Sequence, residues 1–174
     1  EELRRTVAGA LRERLEPIAK APSETPFSAG ADAAGRRSLK SAALDLLASL
    51  GSSQSDTFVT AFDNARSMTE CIAALEALGA SGSDAFDSAL ARFYEKWTSN
   101  PLVIDKWFAV QAASPRNDAL TRADRLRAHA DFNLKNPNRV RSLAAAFAMR
   151  NPRAFHAADG GGYRFLASLA EQID

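Results

Sequence analysis

Two arginines separated by one residue, Arg139 and Arg141, lie in the stretch NPNRVRS, Asn136 to Ser142. Asn136-Pro137 reads as a helix start, which places both cations near the first turn. A helix N-terminus already carries partial positive charge, so cations there are mildly unfavourable unless an anion answers them. Residues two apart on a helix point to different faces, so one packing interaction does not bury both. Two readings stay open. In one, each arginine pairs with a carboxylate or carbonyl nearby. In the other, at least one faces an anion from outside these residues.

Other reactive residue types are sparse. The histidines are His129 and His156, with no second histidine four residues from either and no H-E-x-x-H. A zinc site needs three or four close ligands, so none is expected here. His129 is expected at a helix C-terminus, and His156 is expected to pack or cap locally. The single Cys71 excludes an internal disulfide and sits in the helical apolar stripe ECIAALEAL, as an inert core thiol. DGGGYRF, Asp159 to Phe165, is a glycine cluster before a helix but lacks the G-K-[ST] ending of a phosphate loop. It reads as a turn. No G-x-S-x-G elbow occurs. In DKWF, Trp107 and Phe108 read as core anchors, with Asp105 and Lys106 solvated or paired.

The elements that must position these residues are helical. Leu3, Val7, Leu11, Leu15 and Ile18 share one helix face, with Pro17 ending or kinking it. Ala21 to Gly35 is the longest loop candidate. Leu39, Ala43, Leu46, Leu47 and Leu50 form a second stripe, closed by Gly51. Phe58, Val59 and Phe62 suggest a short helix. Ser67 and Glu70 in SMTE form a capping box before Ile72, Leu75 and Leu78, and Gly79 or Gly82 can end that helix. Phe86, Leu90, Phe93 and Trp97 mark another. Asn100-Pro101, Ser114-Pro115, Asn136-Pro137 and Asn151-Pro152 each put a capping side chain before proline, a recurrent helix start. No stretch alternates as a strand. The fold class is therefore all-α, an irregular α-solenoid or array of about eight to ten short antiparallel helices. No strict repeat of a regular solenoid family is present.

The 174 residues are 46% hydrophobic and 25% charged, enough for one helical domain with a real core. No window approaches a membrane span, and the charged start EELRRTVAGALRER is no signal peptide. These features point to a cytoplasmic protein without a membrane partner. The first residue is Glu and the last stretch stops inside a helical pattern, so residues 1-174 read as a fragment truncated at both ends. Net charge is +1, but Arg116 to Arg153 carries nine Lys/Arg against three Asp/Glu. Its aromatics are only Phe132 and Phe147, poor provision for base stacking, so no nucleic-acid partner is expected.

FYEKW with VIDKWF, then NPNRVRSLAAAF, then NPRAFHAADGGGYRFL, resemble the C-terminal helical domain of bacterial M1-family zinc aminopeptidases of the alanyl aminopeptidase (aminopeptidase N) type. The weaker GRRSLKSAALDLLASLG and RSMTECIAALEAL follow the same order, so the likeness runs from about Arg36 to the end. The resemblance implies a non-catalytic part of a larger enzyme that removes N-terminal amino acids from peptides. Its catalytic domain, with H-E-x-x-H and a downstream Glu around one zinc, is the implied partner, and the helices would cover the chamber that admits peptides. The fragment itself would hold no cofactor and no catalytic residue. In that family the NPNR helix lies toward the chamber, so Asn138, Arg139 and Arg141 become the candidate wall residues. The competing expectation is a free-standing helical scaffold that binds another protein.

Overall fold

The computed structural model describes residues 1–172. The chain folds as two compact units, Glu1–Ala91 and Arg92 onward. Helices account for all the regular structure among the described residues.

In the first unit α1 (Glu2–Ala19) and α4 (Met68–Ala80) both pack on α2 (Ala31–Ala48), while α3 (Ser55–Asp63) packs on α4. Ala43, Leu44, Leu47, Phe58, Ala74, Leu75 and Leu78 are buried here. Three expectations change. Helix α2 begins at Ala31, so the loop is shorter than Ala21 to Gly35. The alanine-rich run favours helix enough to absorb Gly35. The leucine stripe of α1 is covered only in part: Leu3, Val7 and Leu11 are exposed, Leu15 and Ile18 are half-buried, and the fully buried residues are Ala8 and Ala19. Pro17 lies inside α1, which ends two residues later. Leu39 likewise points outward, and the true buried face of α2 runs through Lys40, Ala43, Leu44 and Leu47. Gly51 and Gly82 close their helices with positive φ, +87° and +74°.

The capping box forms. The Glu70 N–H donates to Ser67 Oγ at 3.3 Å, and Glu70 Oε2 reaches back to the Arg66 N–H at 3.2 Å and the Ser67 hydroxyl at 2.9 Å. The side chain meets the N–H one residue before the cap rather than that of the cap itself. Cys71, in the first turns of α4, is half-buried.

Helix α5 (Ala85–Trp97) buries Phe86, Leu90 and Phe93 as its spacing predicts. In the second unit α6 (Pro101–Ala113) packs on α7 (Ala119–Arg127) and on the rod built from α8 (Pro137–Val140), a π turn (Arg141–Ala145) and α9 (Ala146–Arg150). In the π turn the Ala146 N–H reaches back five residues to the Arg141 carbonyl. With residues 137–150 counted as one rod, and with α10 (Pro152–Phe155) and α11 (Gly161–Ala170), ten helices occur among the described residues.

Three of the four proline starts are real. Asn100, Asn136 and Asn151 each accept backbone N–H bonds at the heads of α6, α8 and α10. Ser114-Pro115 is a helix end instead. Ser114 closes α6, its carbonyl accepts from Asn151 Nδ2 at 2.7 Å, and α7 starts only at Ala119. The glycine cluster is a packing device. A Cβ on Gly162 would lie 2.3 Å from the Phe155 carbonyl oxygen, so only glycine lets α11 approach α10. Asp159 Oδ1 accepts the Gly161 N–H at 2.9 Å and occupies the place an anion would take.

Candidate functional site

The rod carrying Asn138, Arg139 and Arg141 starts at a well-made cap. Asn136 Oδ1 accepts from the N–H groups of Asn138 at 3.0 Å and Arg139 at 3.3 Å. Proline at the first helical position fixes the entry. The backbone that presents all three side chains is thus set locally. Where the side chains go is not.

Arg139 turns inward and is only 4% exposed. Its Nε donates to Asp105 Oδ1 at 2.6 Å, Nη1 to the Asp131 carbonyl, and Nη2 to the Pro101 carbonyl at 3.3 Å. The guanidinium also lies 4.7 Å from the centre of the Phe108 ring, a cation–π contact. A buried guanidinium is tolerated only when it is paired and its donors are used. Here one carboxylate, two carbonyls and an aromatic face meet that condition. Arg139 ties the head of the rod to the head of α6 and to the turn after α7.

That turn is itself braced. Tyr94 donates its hydroxyl to Asp131 Oδ2 at 2.5 Å, and this bond to a carboxylate, with partial burial, pushes the phenol above its ordinary value. The Asp131 N–H donates to His129 Nδ1 at 3.1 Å. With that nitrogen accepting, the proton of the neutral ring sits on Nε2. The His129 ring packs within 5.1 to 5.8 Å of Tyr94, Trp107 and Phe108. His129 follows α7 as the sequence suggests, but its ring is held by aromatic edges. Trp107 and Phe108 are core, as their spacing implies.

Asn138 and Arg141 are both exposed. Arg141 Nη1 donates to Asn138 Oδ1 at 3.4 Å, a long contact that leaves the remaining guanidinium donors open to solvent. The pair of arginines therefore splits. Arg139 has its anion within the chain, 34 residues away, and Arg141 has none among the described residues.

Among the described residues no three His, Cys, Asp or Glu side chains come together as metal ligands. His129 is engaged as above, and His156 pairs through Nδ1 with the Tyr163 hydroxyl at 2.6 Å. Part of the basic stretch is answered by carboxylates of the chain: Arg122 meets Asp118 at 3.0 Å, Arg127 meets Asp124 at 3.2 Å, and Arg139 meets Asp105. No helix among the described residues is long and apolar enough to cross a membrane.

Asp105, expected to be solvated or paired, is paired with Arg139, while Asp131 and Tyr94 are neighbours that sequence reasoning missed, because pairs this distant in sequence leave no local signal. Lys40 did leave one. It occupies the first place of the stripe Lys40, Ala43, Leu44, Leu47, a lysine on a core face.

Comparison with known proteins gives the setting for this geometry. Residues 1–174 match the family described as "Domain of unknown function (DUF3458_C) ARM repeats". The chain is 38% identical over 175 residues to Aminopeptidase N of Escherichia coli (strain K12), covering 100% of this chain and 20% of that protein. It is 42% identical over 149 residues to Aminopeptidase N of Caulobacter vibrioides, covering 85% of this chain and 17% of the other. A crystal structure of Legionella pneumophila aminopeptidase A in complex with aspartic acid superposes with a TM-score of 0.82 at 28% identity, over 99% of this chain and 22% of that one. The chain thus spans about a fifth of the length of these curated relatives. All-helical, matched from end to end and similar to one stretch of much longer aminopeptidases, the chain belongs to the DUF3458_C family of ARM-repeat domains.

Proposed function

We propose that this chain is the non-catalytic C-terminal helical domain of a zinc metallo-aminopeptidase. In this reading it covers the active-site chamber and controls which peptides enter, while the parent enzyme removes N-terminal amino acids. The observation that carries the reading is the end-to-end similarity to segments of longer proteins named Aminopeptidase N. In this reading the zinc ligands belong to the catalytic domain of the parent enzyme.

Within that role Asn138, Arg139 and Arg141 divide the work. Arg139 is a positioning residue that fixes the rod. Asn138 and Arg141 form the outward-facing polar pair, and the guanidinium fork suits a carboxylate. Two anions fit: the C-terminal carboxylate of a short peptide, or a carboxylate of the catalytic domain.

Kinetics of the full-length enzyme test this. Arg141→Ala is expected to raise KM for short peptides with a free C-terminus, leave kcat nearly unchanged, and spare the C-terminally amidated analogues. The isolated 174-residue chain, loaded with zinc, is expected not to hydrolyse an alanyl chromogenic substrate. Hydrolysis above contamination would end the non-catalytic reading. A fall in melting temperature for Arg141→Ala with unchanged kinetics would make that arginine structural.

A further inference from the structure

The first unit contains a cavity of about 360 Å³, set among the end of α1, the segment that follows it, α2, α3 and the turn into α4. Three cations line it, Lys20, Lys40 and Arg66, and no carboxylate does. We propose that this cavity is a binding site for a small monocarboxylate of amino-acid size, held by Arg66 and Lys40.

Lys40 is only 7% exposed. Its Nζ donates to the Ala21 carbonyl at 2.7 Å and stands 3.6 Å from Glu70 Oε1, beyond hydrogen-bond reach. An ammonium has three N–H donors, so this one keeps donors to offer in the cavity. Glu70 does not need them. The Ser23 hydroxyl, the Ser67 hydroxyl and the Arg66 N–H already donate to its carboxylate.

The charge in the lining is close to one unit. Lys20 is answered by Glu16 at 3.5 Å and Lys40 by Glu70. The Arg66 guanidinium has no partner among the described residues, although its own backbone N–H is bound to Glu70. One uncompensated cation suits a monoanion better than a dianion. Thr57 and Thr60 line the same space and carry further hydrogen-bonding groups, and Ala61 supplies an apolar wall. A lining that combines cationic donors with alanine methyl groups matches a carboxylate with a short organic body. A phosphate would leave the apolar wall unused and a second charge unanswered.

The inference concerns the first unit alone and is independent of the aminopeptidase reading. Its test is a titration of the isotopically labelled 174-residue chain by two-dimensional NMR at constant ionic strength. N-acetylalanine is the probe, with N-acetylalaninamide and inorganic phosphate as comparators. Saturable shifts are expected at Lys40, Thr57, Thr60 and Arg66 with N-acetylalanine and not with its amide. Arg66→Gln, at an exposed position that leaves the fold intact, is expected to weaken binding about tenfold by removing charge-assisted hydrogen bonds. Thr60→Val checks the hydroxyl and is expected to weaken it less. Absence of saturable shifts, equal binding of the amide, preference for phosphate, or indifference to Arg66→Gln would each overturn the proposal.

Discussion

Each unit holds an ion pair with a buried cation, and the two are built differently. In the second unit Arg139 and Asp105 meet at 2.6 Å, and two carbonyls and an aromatic ring take up the rest of the guanidinium. In the first unit Lys40 and Glu70 stand 3.6 Å apart, with Glu70 satisfied by other groups and Lys40 bonded to the Ala21 carbonyl with donors to spare. The Arg139 pair is a closed joint with its donors committed. The Lys40 pair is loose, and its lysine borders a cavity. The lesson is that burial of a charge does not by itself say whether it is structural. The number of donors left over decides that.

The sharpest way to break the comparison is to remove one member of the closed joint. Arg139→Leu leaves Asp105 facing a buried, unpaired environment and is expected to cost about 3–5 kcal/mol, read by urea denaturation. The double variant Arg139→Leu with Asp105→Leu should recover most of that loss, because the uncompensated carboxylate is gone. A double variant as unstable as the single one would mean that the carbonyl and ring contacts carry the joint.

Lys40→Met should cost less, about 1–3 kcal/mol by the same measurement, since Glu70 keeps three hydrogen bonds and only the Ala21 carbonyl loses its donor. A loss as large as that of Arg139→Leu would show the first pair to be as closed as the second.

Acid titration sharpens the point. Burial raises the Glu70 carboxyl, but bonds from Ser23, Ser67 and the Arg66 N–H, with the charge of Lys40, outweigh it and hold it below the ordinary 4.5. A carboxyl whose folded value is depressed stabilises the fold above the unfolded value. That contribution disappears as pH falls from about 4.5 through the lower folded value. Melting temperature should therefore drop across that acid window, and Glu70→Gln should flatten the drop. Lys40→Met should move it to higher pH, because one of the groups holding the carboxyl down is lost.

The smallest effect is expected at Arg141. Exposed, with one long contact to Asn138, Arg141→Ala should change stability by no more than about 0.5 kcal/mol. Two arginines separated by a single valine would then differ in stability cost by roughly an order of magnitude. Equal costs would erase the division between positioning and outward-facing residues.

Much of the fold was readable along the chain. The capping box at Ser67 and Glu70, the asparagine–proline starts of α6, α8 and α10, and the positive-φ glycines after α2 and α4 are all satisfied within a few residues. Ser114-Pro115 shows the limit of the same rule. The dipeptide fits a helix start, but the helix before it ends there and a distant asparagine claims its carbonyl. The stripe on α1 is covered only in part for a related reason. Spacing shows which residues share a face and not whether anything packs on it, and the fully buried residues of α1 are alanines.

The candidate site divides in the same way. Sequence alone set the cap at Asn136, the helical presentation of Asn138, Arg139 and Arg141, and the fact that the two arginines point apart. These follow from backbone hydrogen bonding and the helical period, which act over one or two turns. Only tertiary structure decided that Asp105 answers Arg139, that Arg141 stays outside, and that Lys40 lies buried beside a cavity. Those outcomes depend on which helices meet, and they are settled by packing and desolvation between residues tens of positions apart, where no local interaction can anticipate the partner.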